Sequence, residues 1–255
     1  MIAEQKRVLV LGATGFLGTH AVQSFLTRGH IVTALVRGKP HDSEFVHRRL
    51  FEQVRIVGGM AEDTMGLRHI ISLHEIDAIV QCAGTDTANG THALTASVMT
   101  AVAHSSTKPM VIVPLRASDT TSQPRFQVPP SSKLNVAFVR LPELFGPGEL
   151  RPDRWITRLF HQAAQGYALP WPDSNQNWLD VTTAADHLAN TLYTAGVNSL
   201  GHWIDTAAAF TTPELMAQVK AGSTPVAETL TWYRANADRI AARIAAGMLS
   251  LRAAA

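Results

Sequence analysis

The chain is short of cysteine, of charge and of tyrosine. Cys82 is the one cysteine among 255 residues. That excludes an internal disulfide and a zinc site built on several thiolates, and it fits a reducing compartment. Asp, Glu, Lys and Arg together make 16% of the residues, against roughly 25% in an average soluble domain. Those few charges nearly cancel, 22 basic against 20 acidic, so no field of one sign points to nucleic acid or to an anionic membrane surface. No apolar run reaches the ~18 residues of a membrane span. Met1 to Arg7 is polar and lacks the apolar core of a secretory signal, so a cytoplasmic protein is expected. The hydrophobic share is an ordinary 46%, enough for a sizeable core in one large α/β domain or in a domain with a small lobe.

The order of the segments gives the fold class. Lys6–Leu11 (KRVLVL) is a nearly continuous apolar run, followed at once by a glycine-rich stretch. Thr19–Arg28 has helical spacing through Val22, Phe25 and Leu26 and stops at Gly29. Ile31–Val36 is a second apolar run. Strand, turn, helix and strand make one βαβ unit of about 30 residues, and continuous apolar strands mean burial on both faces, as in a parallel sheet. The alternation continues with strands at Val54–Val57, Ala78–Cys82 and Met110–Val113 and helices at Thr64–Leu73 and His92–His104. Ser118–Ser132, rich in Ser, Thr, Gln and Pro, reads as a loop, and Asn135–Arg140 as the next strand. The expected fold is a Rossmann-like doubly wound α/β sheet over residues 1–140. Residues 141–255 form a smaller substrate-type lobe, interleaved with the first domain and ending in a long C-terminal helix.

Gly12, Gly15 and Gly18 make a GxxGxxG pattern between the first strand and the first helix. There the first glycine permits a tight turn, the second lets the backbone approach a pyrophosphate, and the third lets helix and strand pack closely. The helix N-terminus offers free N–H groups and its positive dipole end to the phosphates. The pattern predicts a dinucleotide held by Gly12, Thr14, Gly15, Phe16, Leu17 and Gly18. An acid at the end of the second strand would bind a ribose 2′-hydroxyl and indicate NAD. This strand instead ends Leu35-Val36-Arg37. Arg37 can stack on adenine or pair with a 2′-phosphate, so NADP is preferred and NAD stays open.

At this point the chain resembles the extended short-chain dehydrogenase/reductase family, the NAD-dependent epimerases, dehydratases and reductases of nucleotide sugars. GATGFLG at 12–18 and the strand ending VR carry the resemblance. So do IDAIVQCAG at 76–84, Asn89-Gly90-Thr91, VRLPELFGPGE at 139–149, NWLDVTTAADHLA at 177–189 and TLTWYRAN at 229–236. The resemblance implies that Cys82, Ala83 and Gly84 lie along the cofactor. It also implies that Leu141, Pro142 and Leu144 approach its nicotinamide and that residues from 141 onward face a small-molecule substrate.

The chain departs from that family where proton transfer is done. The family uses a Tyr-x-x-x-Lys pair, in which the lysine lowers the tyrosine pKa. Tyr167, Tyr193 and Tyr233 are the three tyrosines, and none has a lysine or arginine four residues on. Lys133 precedes the matching strand, but Pro129 stands at the tyrosine position. Ser118 falls outside the register of the family's serine or threonine. Lys133 and Ser118 are thus weak catalytic candidates, and no catalytic residue is assigned. Gln176 replaces the arginine that binds the diphosphate, and Gly58-Gly59 replaces the Gly-Asp that holds adenine, with Glu62 or Asp63 nearby. Two functions follow: a divergent oxidoreductase or epimerase-like enzyme, or a non-catalytic descendant that senses a dinucleotide or serves as a scaffold.

Other chemistries find less support. The 11 histidines are scattered without an HxH or HExxH pairing, so no metal is expected, and no G-x-S-x-G elbow exists. Trp155, Trp171, Trp178 and Trp203 are placed in the second lobe, where they line a cleft or form core. Arg151 and Arg154, beside Asp153, face an anionic substrate or simply open a helix. Val226, Leu230, Tyr233, Ala237, Ile240, Ile244, Met248 and Leu251 form one apolar stripe over about seven helical turns, which covers this chain or a second copy in a homodimer.

Overall fold

A computed structural model describes residues 4–37, 52–84, 88–116, 134–170, 172, 175–194, 200–205 and 209–253, with the backbone alone at 88–90, 200–205 and 247–253. The chain divides into two compact units. The first comprises Met1–Leu141 and Thr182–Thr206, the second Pro142–Val181 and Ala207–Ala255.

The first unit is built on a seven-stranded parallel sheet. Its strands are β1 (Arg7–Leu11), β2 (Ile31–Val36), β3 (Arg55–Gly58), β4 (Ala78–Gln81), β5 (Met110–Arg116), β6 (Val136–Leu141) and β9 (Leu200–Asp205). They lie in the order β3-β2-β1-β4-β5-β6-β9, so the expected doubly wound α/β class is borne out. Alternate side chains of the strands go to opposite faces. Leu9, Leu11, Ile79, Val111, Val113, Val136 and Phe138 share one buried cluster with Leu67, Ile70 and Ile71 of α2 (Thr64–Leu73) and Leu94, Val98, Met99 and Val102 of α3 (Ala88–Ala103). Helix α1 (Phe16–Thr27) packs on β1 and β2. It is tied to α5 (Val181–Thr194) where Ser24 donates to Asp186 at 2.7 Å and Arg28 pairs with the same carboxylate at 2.8 Å.

Asp63 caps α2, its carboxylate accepting the Gly66 amide at 3.0 Å. This is the usual work of an aspartate one residue before a helix. Trp203, expected in the second lobe, lies instead on β9 of the large sheet. Its strand pairs in register with β6, so the chain returns to the first unit after residue 181. The apolar pattern of a buried parallel strand carries no mark of which sheet it joins.

The second unit holds a small sheet of β7 (Glu143–Phe145), β8 (Asn177–Asp180) and β10 (Phe210–Thr211), with helices α4 (Trp155–Ala164), α6 (Thr212–Ala221), α7 (Thr224–Ala235) and α8 (Ala237–Ala253). Phe145, Trp155, Leu159, Phe160, Trp178 and Leu215 form its core with Val226, Leu230, Tyr233 and Ile240. Trp155 and Trp178 lie 5.5 Å apart in that core. The continuous C-terminal helix expected from the apolar stripe is two helices. The break falls at Asn236, whose backbone leaves the helical region (φ −117, ψ 19) and whose side-chain amide donates to Trp232 O at 2.9 Å. Asparagine competes with the helical ladder in this way. The stripe covers its own unit from Val226 to Ile240, with Ile244 packed against the same cluster. The side chains of Met248 and Leu251 lie outside the described residues.

Candidate functional site

The sheet places the glycine turn at its topological switch. Strand order runs outward in opposite directions from β1 and β4, which are neighbours but not consecutive in the chain. In open parallel sheets ligands bind in the crevice outside the carboxyl ends of such a pair. Gly12 follows β1 directly, and Cys82-Ala83-Gly84 follow β4.

These two turns touch. Gly12 has a left-handed backbone (φ +74), and a Cβ there would lie 2.6 Å from Ala83 N and 2.9 Å from Cys82 C. Only glycine meets both conditions without displacing backbone. Gly18 sits on α1 with its Cα against the turn, so a Cβ would overlap Gly12 O and lie 2.8 Å from Gly12 C. The glycines at the two ends of the pattern therefore bring strand, turn and helix together. Gly15 closes the turn with its amide donating to Gly12 O at 2.9 Å.

Gly15 is also the N-cap of α1, so no side-chain cap is possible, and no acidic residue occupies the helix's first turn. The opening amides of a helix have no acceptor within it. At α2 the Asp63 carboxylate supplies one, and at α6 the Thr211–Glu214 capping box does. At α1 neither the N-cap nor the first turn supplies a carboxylate to the amides and the positive dipole end. That donor set fits an anion such as a diphosphate.

The remaining expected residues fall around this turn or away from it. Ala13 is buried, Thr14, Phe16 and Leu17 are half-buried, and Gly15 is exposed. Arg37 is exposed at the end of β2, two strands from β4, and Gly59 follows β3 with its amide donating to Val36 O at 3.0 Å. Gly84 is exposed, while the half-buried Cys82 has its thiol pushed up to about 12 by burial. It is a neutral thiol at ordinary pH, not a nucleophile. Leu141 is buried at the end of β6; Pro142 and Leu144 open the second unit, both half-buried. Lys133 and Ser118 lie outside the described residues, as does Trp171.

Other candidates have structural partners. Arg154 forms ion pairs with both Glu143 (2.6 Å) and Glu149, and Arg151 pairs with Asp153 at 2.9 Å. Tyr233 is buried and donates its hydroxyl to Glu149 O at 3.1 Å. Burial first, and then the Glu149 charge, push its pKa up, so it is no substitute for an activated tyrosine. Thr19 adds a residue to the turn that the motif does not mark: its buried hydroxyl lies 3.2 Å from Ala13 O and 2.9 Å from Gly15 O. A threonine one residue after a glycine pattern carries no signal beyond its place in a helix.

Residues 8–109 match the model of the NAD dependent epimerase/dehydratase family. Among solved structures, the chain is similar to the Bordetella bronchiseptica enzyme WbmF in complex with NAD+ and UDP, at 15% identity and a TM-score of 0.71, over 98% of each chain. It is also similar to UDP-N-acetylglucosamine 4-epimerase from Bacillus cereus, at 16% identity and a TM-score of 0.65, over 92% of this chain and 95% of that one. A third is dTDP-glucose 4,6-dehydratase from Bacillus anthracis in complex with NAD, at 18% identity and a TM-score of 0.64, over 86% and 82%. No curated protein sequence matches the chain. The resemblance read from GATGFLG and IDAIVQCAG is borne out by the family match, and the solved structures show the same fold.

Proposed function

We propose that the chain binds a nicotinamide dinucleotide at the Gly12–Gly18 turn and acts as a divergent epimerase- or dehydratase-like oxidoreductase on a small molecule. The observation that carries this reading is the turn itself: a left-handed Gly12 pressed on Ala83, beside a helix whose N-cap has no side chain. The turn residues Thr14, Phe16 and Leu17 present backbone to the diphosphate, and Cys82, Ala83 and Gly84 border the same crevice. Arg37 supports NADP over NAD, because a guanidinium pairs with a 2′-phosphate where an acid would take the ribose hydroxyl. When bound, the dinucleotide supplies the hydride chemistry; the chain supplies orientation and a route for the proton. That route cannot be the family's Tyr-x-x-x-Lys pair, which the sequence lacks.

Fluorescence titration with NADPH and NADH tests the reading. Gly15→Trp is the control of choice. Gly15 has an ordinary backbone (φ −77, ψ 172), and a Cβ there meets only Gly12 O at 3.2 Å, so the indole enters the phosphate position without breaking the turn. Binding of NADPH in preference to NADH, lost in Gly15→Trp, supports the proposal; no binding of either refutes it. The missing tyrosine pair favours a second reading, a dinucleotide sensor or scaffold. A panel of keto-sugars separates the two: the enzyme oxidises bound NADPH with one of them, the sensor with none.

A further inference from the structure

We infer that Thr19 is a positioning residue of the glycine turn, one whose hydroxyl aims the amides of Thr14 and Phe16; this rests on the dinucleotide reading above. Other helical threonines in the chain bond a carbonyl four residues back: Thr27 to Gln23, Thr95 to Thr91, Thr100 to Ala96 and Thr191 to His187. Such bonds are ordinary for threonine in a helix. Thr19 bonds Gly15 O in that way, at 2.9 Å, but its hydroxyl also lies 3.2 Å from Ala13 O. Ala13 is six residues back and lies before the helix begins. A hydroxyl has a single proton, so these two carbonyls share one donor, and the Thr19 amide adds a second bond to Gly15 O at 3.0 Å.

Peptide planarity turns this bond into a statement about the site. In a trans peptide the carbonyl and the following N–H point in opposite directions, and no cis peptide occurs among the described residues. Holding Ala13 O toward Thr19 therefore turns the Thr14 N–H away from the body of α1. Holding Gly15 O along the helix directs the Phe16 N–H out of its N-terminal end. Thr19 itself is 2% exposed, so water cannot replace its hydroxyl cheaply. It touches no ligand: it acts through peptide planes, and removing its proton leaves the Ala13–Thr14 plane free to rock while the Thr19 amide still holds Gly15 O.

The test is a titration of wild type, Thr19→Val, Thr19→Ser and Thr19→Ala with NADPH and NADH, with thermal unfolding of each in the absence of nucleotide. Valine keeps the branched shape and lacks the proton. Thr19→Val is expected to weaken the preferred nucleotide by roughly fivefold to tenfold, the worth of about one hydrogen bond. Thr19→Ser is expected to stay within about twofold of wild type, because serine carries the same donor. Thr19→Ala should follow valine, which separates the lost proton from any strain of the methyl. Undiminished binding in Thr19→Val, or a serine variant as weak as the valine one, overturns the inference alone. Failure of wild type to bind either nucleotide overturns it together with the reading on which it rests.

Discussion

The Tyr193 hydroxyl lies 2.8 Å from Nε2 of His30, a histidine 4% exposed. On the other side of the ring, Nδ1 accepts the amide of Lys6 at 3.2 Å. The geometry fixes a neutral ring with its proton on Nε2, donated to Tyr193. Burial first, then the charges of Arg28 and Lys6, hold its pKa below the usual histidine value. The folded chain thus takes up this proton less readily than the unfolded one. Stability from His30 is complete above about pH 6.5, falls as pH drops below that, and levels off under the folded pKa. Asp153 and Asp186 are also shifted, downward, so their effects come at more acid pH. Urea midpoints measured from pH 8 to pH 5 should decline below about pH 6.5 in wild type and decline less in His30→Gln. Equal slopes in the two proteins would show that this ring does not sense pH.

Arg154 is expected to matter for stability, not for binding an anionic substrate. It pairs with Glu143 and with Glu149, whose side chain is 3% exposed. Glu149 Oε1 also accepts the Arg151 amide at 3.0 Å. Removing the guanidinium leaves a buried carboxylate without its countercharge, a loss of about 3–5 kcal/mol. Arg154→Met should therefore lower the urea midpoint sharply, and Arg154→Met with Glu149→Gln should recover a substantial part. A double variant no more stable than the single one would mean that the arginine acts by packing its stem.

Gly12 and Gly166 make a matched pair. Their φ values are +74 and +73, but a Cβ at Gly166 meets nothing within 4 Å, while one at Gly12 strikes Ala83 and Cys82. Gly166→Ala is expected to cost only the left-handed penalty, about 1–2 kcal/mol, and to leave nucleotide binding intact. Gly12→Ala adds overpacking of about 1–3 kcal/mol and should abolish binding of NADPH and NADH. Thermal unfolding and the same fluorescence titration read both effects. Equal destabilisation of the two variants would show that the β1 and β4 turns give way to each other.

The sequence carried the first unit well because its signals are local. Continuous apolar strands, a glycine triplet and helical spacing placed β1, α1, β2 and α2 to within a few residues. The switch between β1 and β4, which makes the glycine turn a crevice, follows from that alternation and a resemblance. Contacts between distant residues left no such mark. Nothing at Thr19 announces a bond to Ala13, nor at Arg154 a pairing with Glu143. Trp203 reads as one more buried aromatic until β9 is seen beside β6. At Asn236 the apolar stripe continues through a residue whose side chain ends the helix, because periodicity registers faces and not backbone competition.

Cys82 offers a probe of the crevice, since a chain with one cysteine gives one labelling rate. Its thiol is pushed up to about 12 by burial, so at pH 8 very little of it is thiolate, the reactive form. The residue stands next to Ala83, against which Gly12 packs, so its labelling rate reports on that packing. Wild type in native buffer at pH 8 should therefore react with a thiol-specific disulfide reagent far more slowly than the same chain in urea. Gly12→Ala, which forces the two turns apart, should raise the native rate toward the unfolded one, whereas Gly166→Ala should not. Rapid labelling of the native wild-type protein would mean that the Cys82 thiol is open to solvent and that burial does not protect it.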